Sequence, residues 1–146
     1  MNKQTKDERY NSTYMETAYV FSKLSHAVRK KVGCVAVKDG NIIAHGWNGM
    51  PKGFPNVCED TTDGQLVTKR EVLHAELNTL SKLAKGTQSS EGSDIYVTLS
   101  PCVECSKLII QAGIKRVFYH EEYRDTSGIA LLIKAGVEVN KLELHT

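Results

Sequence analysis

A chain of 146 residues, 40% apolar and 25% charged, suits one domain built around one hydrophobic core. Its formal net charge of +2 is too small to hold a nucleic-acid polymer, but a few local cations could still hold one small anion. No apolar run approaches the ~20 residues that span a bilayer, and Met1 to Arg9 is polar, so a cytoplasmic, reducing location is expected. In that setting Cys34, Cys58, Cys102 and Cys105 are expected to be thiols or metal ligands rather than disulfides.

Residues 1–10 read as a flexible arm. Thr13 and Glu16 have capping-box spacing ahead of Tyr14, Ala18, Phe21 and Leu24, which predicts a helix from about Thr13 to Ser25. Lys31 to Val37 and Ile42 to Trp47 read as strands, and Asp39-Gly40 between them signals a hairpin. Residues 48–70 hold Gly, Pro, Asn and Asp without periodicity and read as a long functional loop.

Glu71 to Leu83 has helical spacing, and Asp94 to Leu99 reads as a buried strand. Ser100-Pro101 looks like the cap and first position of a helix to Gln111, stopped at Gly113. Arg116 to His120 is expected to be a strand, Ser127 to Ala135 a helix, and Val137 to Leu142 a last strand. This order makes a single α/β domain over residues 1–146. Right-handed crossovers stepping one way across the sheet would set the helix after His74 beside the helix holding Cys102 and Cys105.

Those residues form a chemical group. Cys102 and Cys105, three apart at a helix start, share a face, and the positive helix end favours their thiolates. His74 adds a nitrogen. Two thiolates and one imidazole suit zinc, and three protein ligands leave the fourth tetrahedral position open for water. Glu76 would move protons between that water, a ring nitrogen and a leaving amine, the more so because two thiolates blunt the metal's effect on water. Residues two apart in mid-helix point to opposite sides, so His74 and Glu76 can serve one centre only in the first turn. The helix must then start later than Glu71, or bend there. A structural four-ligand zinc borrowing Cys34 or Cys58 is the rival reading; otherwise these two are a buried strand residue and a loop thiol. His26, His45, His120 and His145 have no partner spacing.

His74-Ala75-Glu76 followed by Pro101-Cys102-Val103-Glu104-Cys105 is the signature of the zinc nucleobase deaminases. From about Val32 to Val139 the sequence resembles the deoxycytidylate (dCMP) deaminases. The likeness lies in Val32-Gly33-Cys34, Gly46-Trp47-Asn48-Gly49-Met50-Pro51-Lys52-Gly53, His74-Ala75-Glu76-Leu77-Asn78, Tyr96 to Cys102, and Cys105 to Lys115. The resemblance implies a cytidine deaminase-like three-layer α/β/α sandwich with a central mixed sheet of about five strands. It implies hydrolysis of dCMP to dUMP and ammonia, feeding dTMP synthesis, by a homo-oligomer, often a hexamer, activated by dCTP and inhibited by dTTP. By position, His74, Cys102 and Cys105 hold one zinc per chain and Glu76 is catalytic. Asn48 contacts the sugar, and the backbone at Ala75 and Ser100 holds the pyrimidine edge. Gly49, Lys52 and Gly53 resemble the effector loop, where Mg2+ would enter only with a triphosphate.

The segment before His74 is short, and Val72 and Leu73 offer no ligand for the second, structural zinc of some members. For the 5′-phosphate, Arg29, Lys30 and Lys31 are candidates, with Tyr123 at the pocket edge. A tRNA adenosine deaminase would need a stronger basic footprint, and a free-base cytosine or guanine deaminase would need no phosphate donors. A non-catalytic zinc-stabilised module would have no use for Glu76.

Overall fold

The structure, a computed structural model, describes residues 4–144. Residues 1–3 of the expected arm and His145 lie outside that range. Thr5 opens helix α1 (Lys6–Ser22) by accepting the Glu8 amide on its hydroxyl at 3.1 Å, with Asp7 and Glu8 at the positive helix end. Residues 6–10 are therefore helical, not an arm. Two Thr-x-x-Glu patterns precede Gly33, and the earlier one caps; Thr13 lies inside the helix, donating to the Arg9 carbonyl at 2.8 Å. The helix ends before the expected Ser25, which leaves Leu24 exposed beyond it.

Strands β1 (Gly33–Lys38) and β2 (Asn41–Trp47) form the expected hairpin, with Asp39 at φ 51° and Gly40 at φ 77°. These are the two left-handed residues that a tight hairpin turn demands. The segment expected to be an unstructured loop contains a second hairpin, β3 (Glu59–Thr62) and β4 (Gln65–Thr68), turned on Asp63 and Gly64 by the same geometry. Its strands pair only with each other.

Then follow α2 (Ala75–Ala84), β5 (Asp94–Leu99), α3 (Val103–Gln111), β6 (Arg116–Glu121), α4 (Ser127–Lys134) and β7 (Glu138–Lys141). The main sheet has the order β2-β1-β5-β6-β7. β1 runs antiparallel to both neighbours, and β5, β6 and β7 are parallel. This is the mixed five-stranded α/β sheet that was expected.

Period-two alternation divides the core between the two faces. Val35, Val37, Tyr96 and Phe118 pack on Met15 and Ala18 of α1. Cys34, Ala36, Ile95, Val97 and Val117 face the opposite way, onto Leu80 and Leu83 of α2, Ile109 of α3 and Leu132 of α4. Three helices thus share one face and α1 covers the other. Among the described residues no helix is long and apolar enough to cross a membrane.

Gly33 sets how closely α1 lies on the sheet: a Cβ there would sit 1.8 Å from the Ala18 carbonyl oxygen. Gly33→Ala is therefore expected to lower stability by roughly 1–3 kcal/mol, as overpacking does. A urea midpoint that falls without a change in slope would show it; an unchanged midpoint would mean that α1 yields freely.

Candidate active site

Both helices that carry the motif begin at the motif itself. Leu73 is held extended because its N–H and C=O both bond to Gly49, at 2.8 and 3.0 Å. The helix therefore cannot begin at Glu71; His74 becomes the N-cap of α2, and Glu76 falls in its first turn. The condition for His74 and Glu76 to serve one centre is met.

The start of α3 also differs from the sequence expectation. Ser100 is not its cap, because its N–H bonds to the Glu121 carbonyl and its hydroxyl accepts the Tyr123 amide, each at 2.8 Å. The cap is Cys102, whose Sγ lies 3.5 Å from the Cys105 amide. Gly128 of α4 abuts this turn, where a Cβ would stand 2.1 Å from the Pro101 oxygen. Ser106 fastens the contact by donating to the Gly128 carbonyl at 3.0 Å.

The two helix starts bring three donors together. His74 Nδ1 is 3.5 Å from Cys102 Sγ and 3.4 Å from Cys105 Sγ. Zinc–sulfur and zinc–nitrogen bonds of ~2.3 and ~2.0 Å at tetrahedral angles would separate S from N by about 3.5 Å. The donor set and its spacing fit one zinc ion.

The protons fit as well. Cys102 is held down at about 3 because Cys105 and His74 donate to its sulfur. Cys105, the donor in that bond and largely buried, is pushed far upward. His74 is raised by its bond to Cys102. A cation bound to all three would take the place of these shared protons.

His74 and Cys102 line a cavity of about 620 Å³, with Cys105 beside them. Glu76 lines it, is only 4% exposed, and has its carboxyl pushed up to about 7 by burial. Ala75, Ser100, Asn48 and Tyr123 also line it, as the sequence suggested. Asn48 does more than face the cavity. Its Oδ1 accepts the Val32 amide at 2.9 Å and its Nδ2 donates to the Lys30 carbonyl at 2.8 Å, which fixes the segment entering β1. Asn78 bonds the Trp47 carbonyl at 2.7 Å and ties α2 to the end of β2.

Of the three basic candidates, Arg29 and Lys30 reach the cavity wall, whereas Lys31 is exposed and not part of it. Gly49, Lys52 and Gly53 are not part of it either. Sequence reasoning missed Arg124, Glu59, Thr68, Glu121 and Glu122, all of which line the cavity. Arg124 adjoins Tyr123 and was open to the same argument. Glu59 and Thr68 come from the unexpected hairpin. Glu59 Oε2 accepts the Val28 and Arg29 amides at 2.9 and 3.0 Å, and Arg29 donates to Thr68 at 3.2 Å, so the hairpin walls one side. Cys34 and Cys58 are buried free thiols outside the converging trio, although Cys58 borders the cavity.

The family model described as "Cytidine and deoxycytidylate deaminase zinc-binding region" matches residues 8–121. A crystal structure of dCMP deaminase from the cyanophage S-TIM5, in complex with dCMP and dUMP, is 48% identical with a TM-score of 0.86, covering 96% of this chain and 100% of that one. Deoxycytidylate deaminase of Homo sapiens is 37% identical over 88% of this chain and 76% of its own length. That of Enterobacteria phage T4 is 33% identical over 88% and 87%.

Proposed function

Because the chain belongs to the cytidine and deoxycytidylate deaminase zinc-binding family, we propose that it hydrolyses dCMP to dUMP and ammonia. One observation carries this reading: the His74, Cys102 and Cys105 donors, buried Glu76, and the cations Arg29, Lys30 and Arg124 all line or border one cavity. The cyanophage relative seen with dCMP and dUMP supports the choice of nucleotide.

Zinc held by His74 Nδ1 and the two sulfurs would supply Lewis-acid activation of the attacking water. Glu76 does the rest of the proton work. Its carboxylate takes the proton that the water sheds as oxygen bonds to C4, and passes it to ring N3. It then takes the second proton, from the new hydroxyl on C4, and gives it to the exocyclic amine, which leaves as ammonia as the C4–N bond breaks and the C4 carbonyl forms. Burial that lifts the carboxyl to about 7 suits a group that must both accept and donate near neutral pH. The backbone at Ala75 and Ser100 holds the pyrimidine edge, and Asn48 uses its remaining hydrogen-bond capacity on the sugar. Arg29, Lys30, Arg124 and Tyr123 receive the phosphate; Lys31, outside the cavity, does not.

In this reading the enzyme is a cytoplasmic homo-oligomer, hexameric, with one zinc per chain. dCTP activates and dTTP inhibits through the loop of Gly49, Lys52 and Gly53, with Mg2+ entering only on a triphosphate.

An assay over dCMP, CMP, dCTP and deoxycytidine, with and without dCTP or dTTP, tests the proposal. Charge-assisted bonds to a phosphate contribute roughly 1.5–3 kcal/mol each, so dCMP should exceed deoxycytidine in kcat/KM by about 100-fold or more. Equal turnover of the two would overturn the phosphate reading.

A further inference from the structure

α1 lies across the sheet from the converging donors, yet one of its side chains reaches the cavity wall. The Tyr19 hydroxyl is 2.7 Å from Glu121 Oε2 and 2.5 Å from His120 Nδ1. A hydroxyl has one proton to give, and a carboxylate can only accept it. The Tyr19 oxygen must therefore accept from His120, whose Nδ1 carries the hydrogen. Burial, together with Glu121, raises the phenol well above its ordinary range, so Tyr19 stays a donor at working pH.

The other oxygen of Glu121 continues the chain. Oε1 lies 2.6 Å from Lys30 Nζ, and both residues line the cavity. An ion pair this exposed is ordinarily loose, because two long side chains must be ordered against solvent. Here both ends are pinned: Glu121 by Tyr19, and the Lys30 backbone by Asn48 at 2.8 Å. Three N–H bonds radiate from the Lys30 ammonium. Glu121 takes one, leaving two for an anion in the cavity.

We propose that Tyr19 is a positioning residue for phosphate recognition, acting through Glu121 to hold the Lys30 ammonium at the cavity wall. Tyr19 itself touches no substrate. The inference rests on the reading of this cavity as a dCMP site.

The zinc-loaded full chain tests it. Y19F is expected to raise KM for dCMP about 5- to 10-fold, the size of one hydrogen bond, while kcat stays within about twofold. kcat/KM for deoxycytidine, which has no phosphate, should not move. In a Lys30→Met background the same substitution should add nothing further. An unchanged dCMP KM would overturn the proposal, as would equal losses on both substrates or a Y19F effect that persists without Lys30. If Y19F does not fold, Glu121→Gln keeps an acceptor for Tyr19 but weakens the grip on Lys30; it should give the same rise in dCMP KM, and no rise would overturn the proposal. A wild-type enzyme without preference for dCMP over deoxycytidine would instead refute the underlying phosphate reading, whatever Y19F does.

Discussion

Glu76→Gln is expected to leave zinc bound and to cut kcat for dCMP by about 10³- to 10⁴-fold, the upper range for losing a general acid–base. Glu76 is not among the converging donors; these are one ring nitrogen and two sulfurs from His74, Cys102 and Cys105. Removing its charge does not open the metal site. Glutamine has the same shape and is neutral, which the buried position tolerates well, since burial already disfavours the carboxylate. What disappears is the ability to take a proton at one moment and give it back at the next. Zinc content by elemental analysis and a dCMP assay on the same sample provide the two readings. Full zinc with near wild-type turnover would remove Glu76 from the mechanism. Loss of zinc along with activity would mean that the side chain is structural.

The site was legible in the sequence because its chemistry sets local geometry. His-x-Glu requires a first turn, and α2 starts at His74 for a reason outside the helix: the extended pairing of Leu73 with Gly49. Helical periodicity, which ran back to Glu71, could not see that pairing. The β3–β4 hairpin was missed although Asp63-Gly64 repeats the signal read correctly at Asp39-Gly40. Its strands, Glu59–Thr62 and Gln65–Thr68, lie largely in solvent and show no alternation of apolar and polar residues to support the turn. The true cap of α1 was passed over because Thr5 opens a polar stretch with little apolar pattern, while Thr13 stands among aromatics. Glu59, Glu121 and Tyr19 belong to no motif. Glu59 and Glu121 line the cavity, and Tyr19 touches Glu121, only because a hairpin, a strand end and a helix on the far face converge there, a product of topology rather than spacing.

Cys105→Ser is expected to abolish zinc binding and, with it, all measurable deamination, whereas Cys34→Ser and Cys58→Ser should keep the metal. Serine preserves the size of the side chain and suits the first turn of α3, so the fold has little reason to change. Its hydroxyl does not ionise as a thiolate does, and His74 with Cys102 alone makes a two-ligand site. Cys105 is buried, with its sulfur 3.4 Å from His74 Nδ1, so no surface residue can swing in to replace it. Zinc per chain, measured after dialysis against metal-free buffer, should fall from about one to below about one tenth. Because metal binding is coupled to folding, wild-type Tm should rise when zinc is restored to stripped protein, and the Cys105→Ser Tm should not. The comparison with Cys34 and Cys58 separates two kinds of zinc site. A four-ligand structural site would lose metal in one of those variants as well. Retention in both means that the protein supplies three ligands, as a zinc that activates water would require, with Glu76 the carboxylate that lines the same cavity as His74 and Cys102.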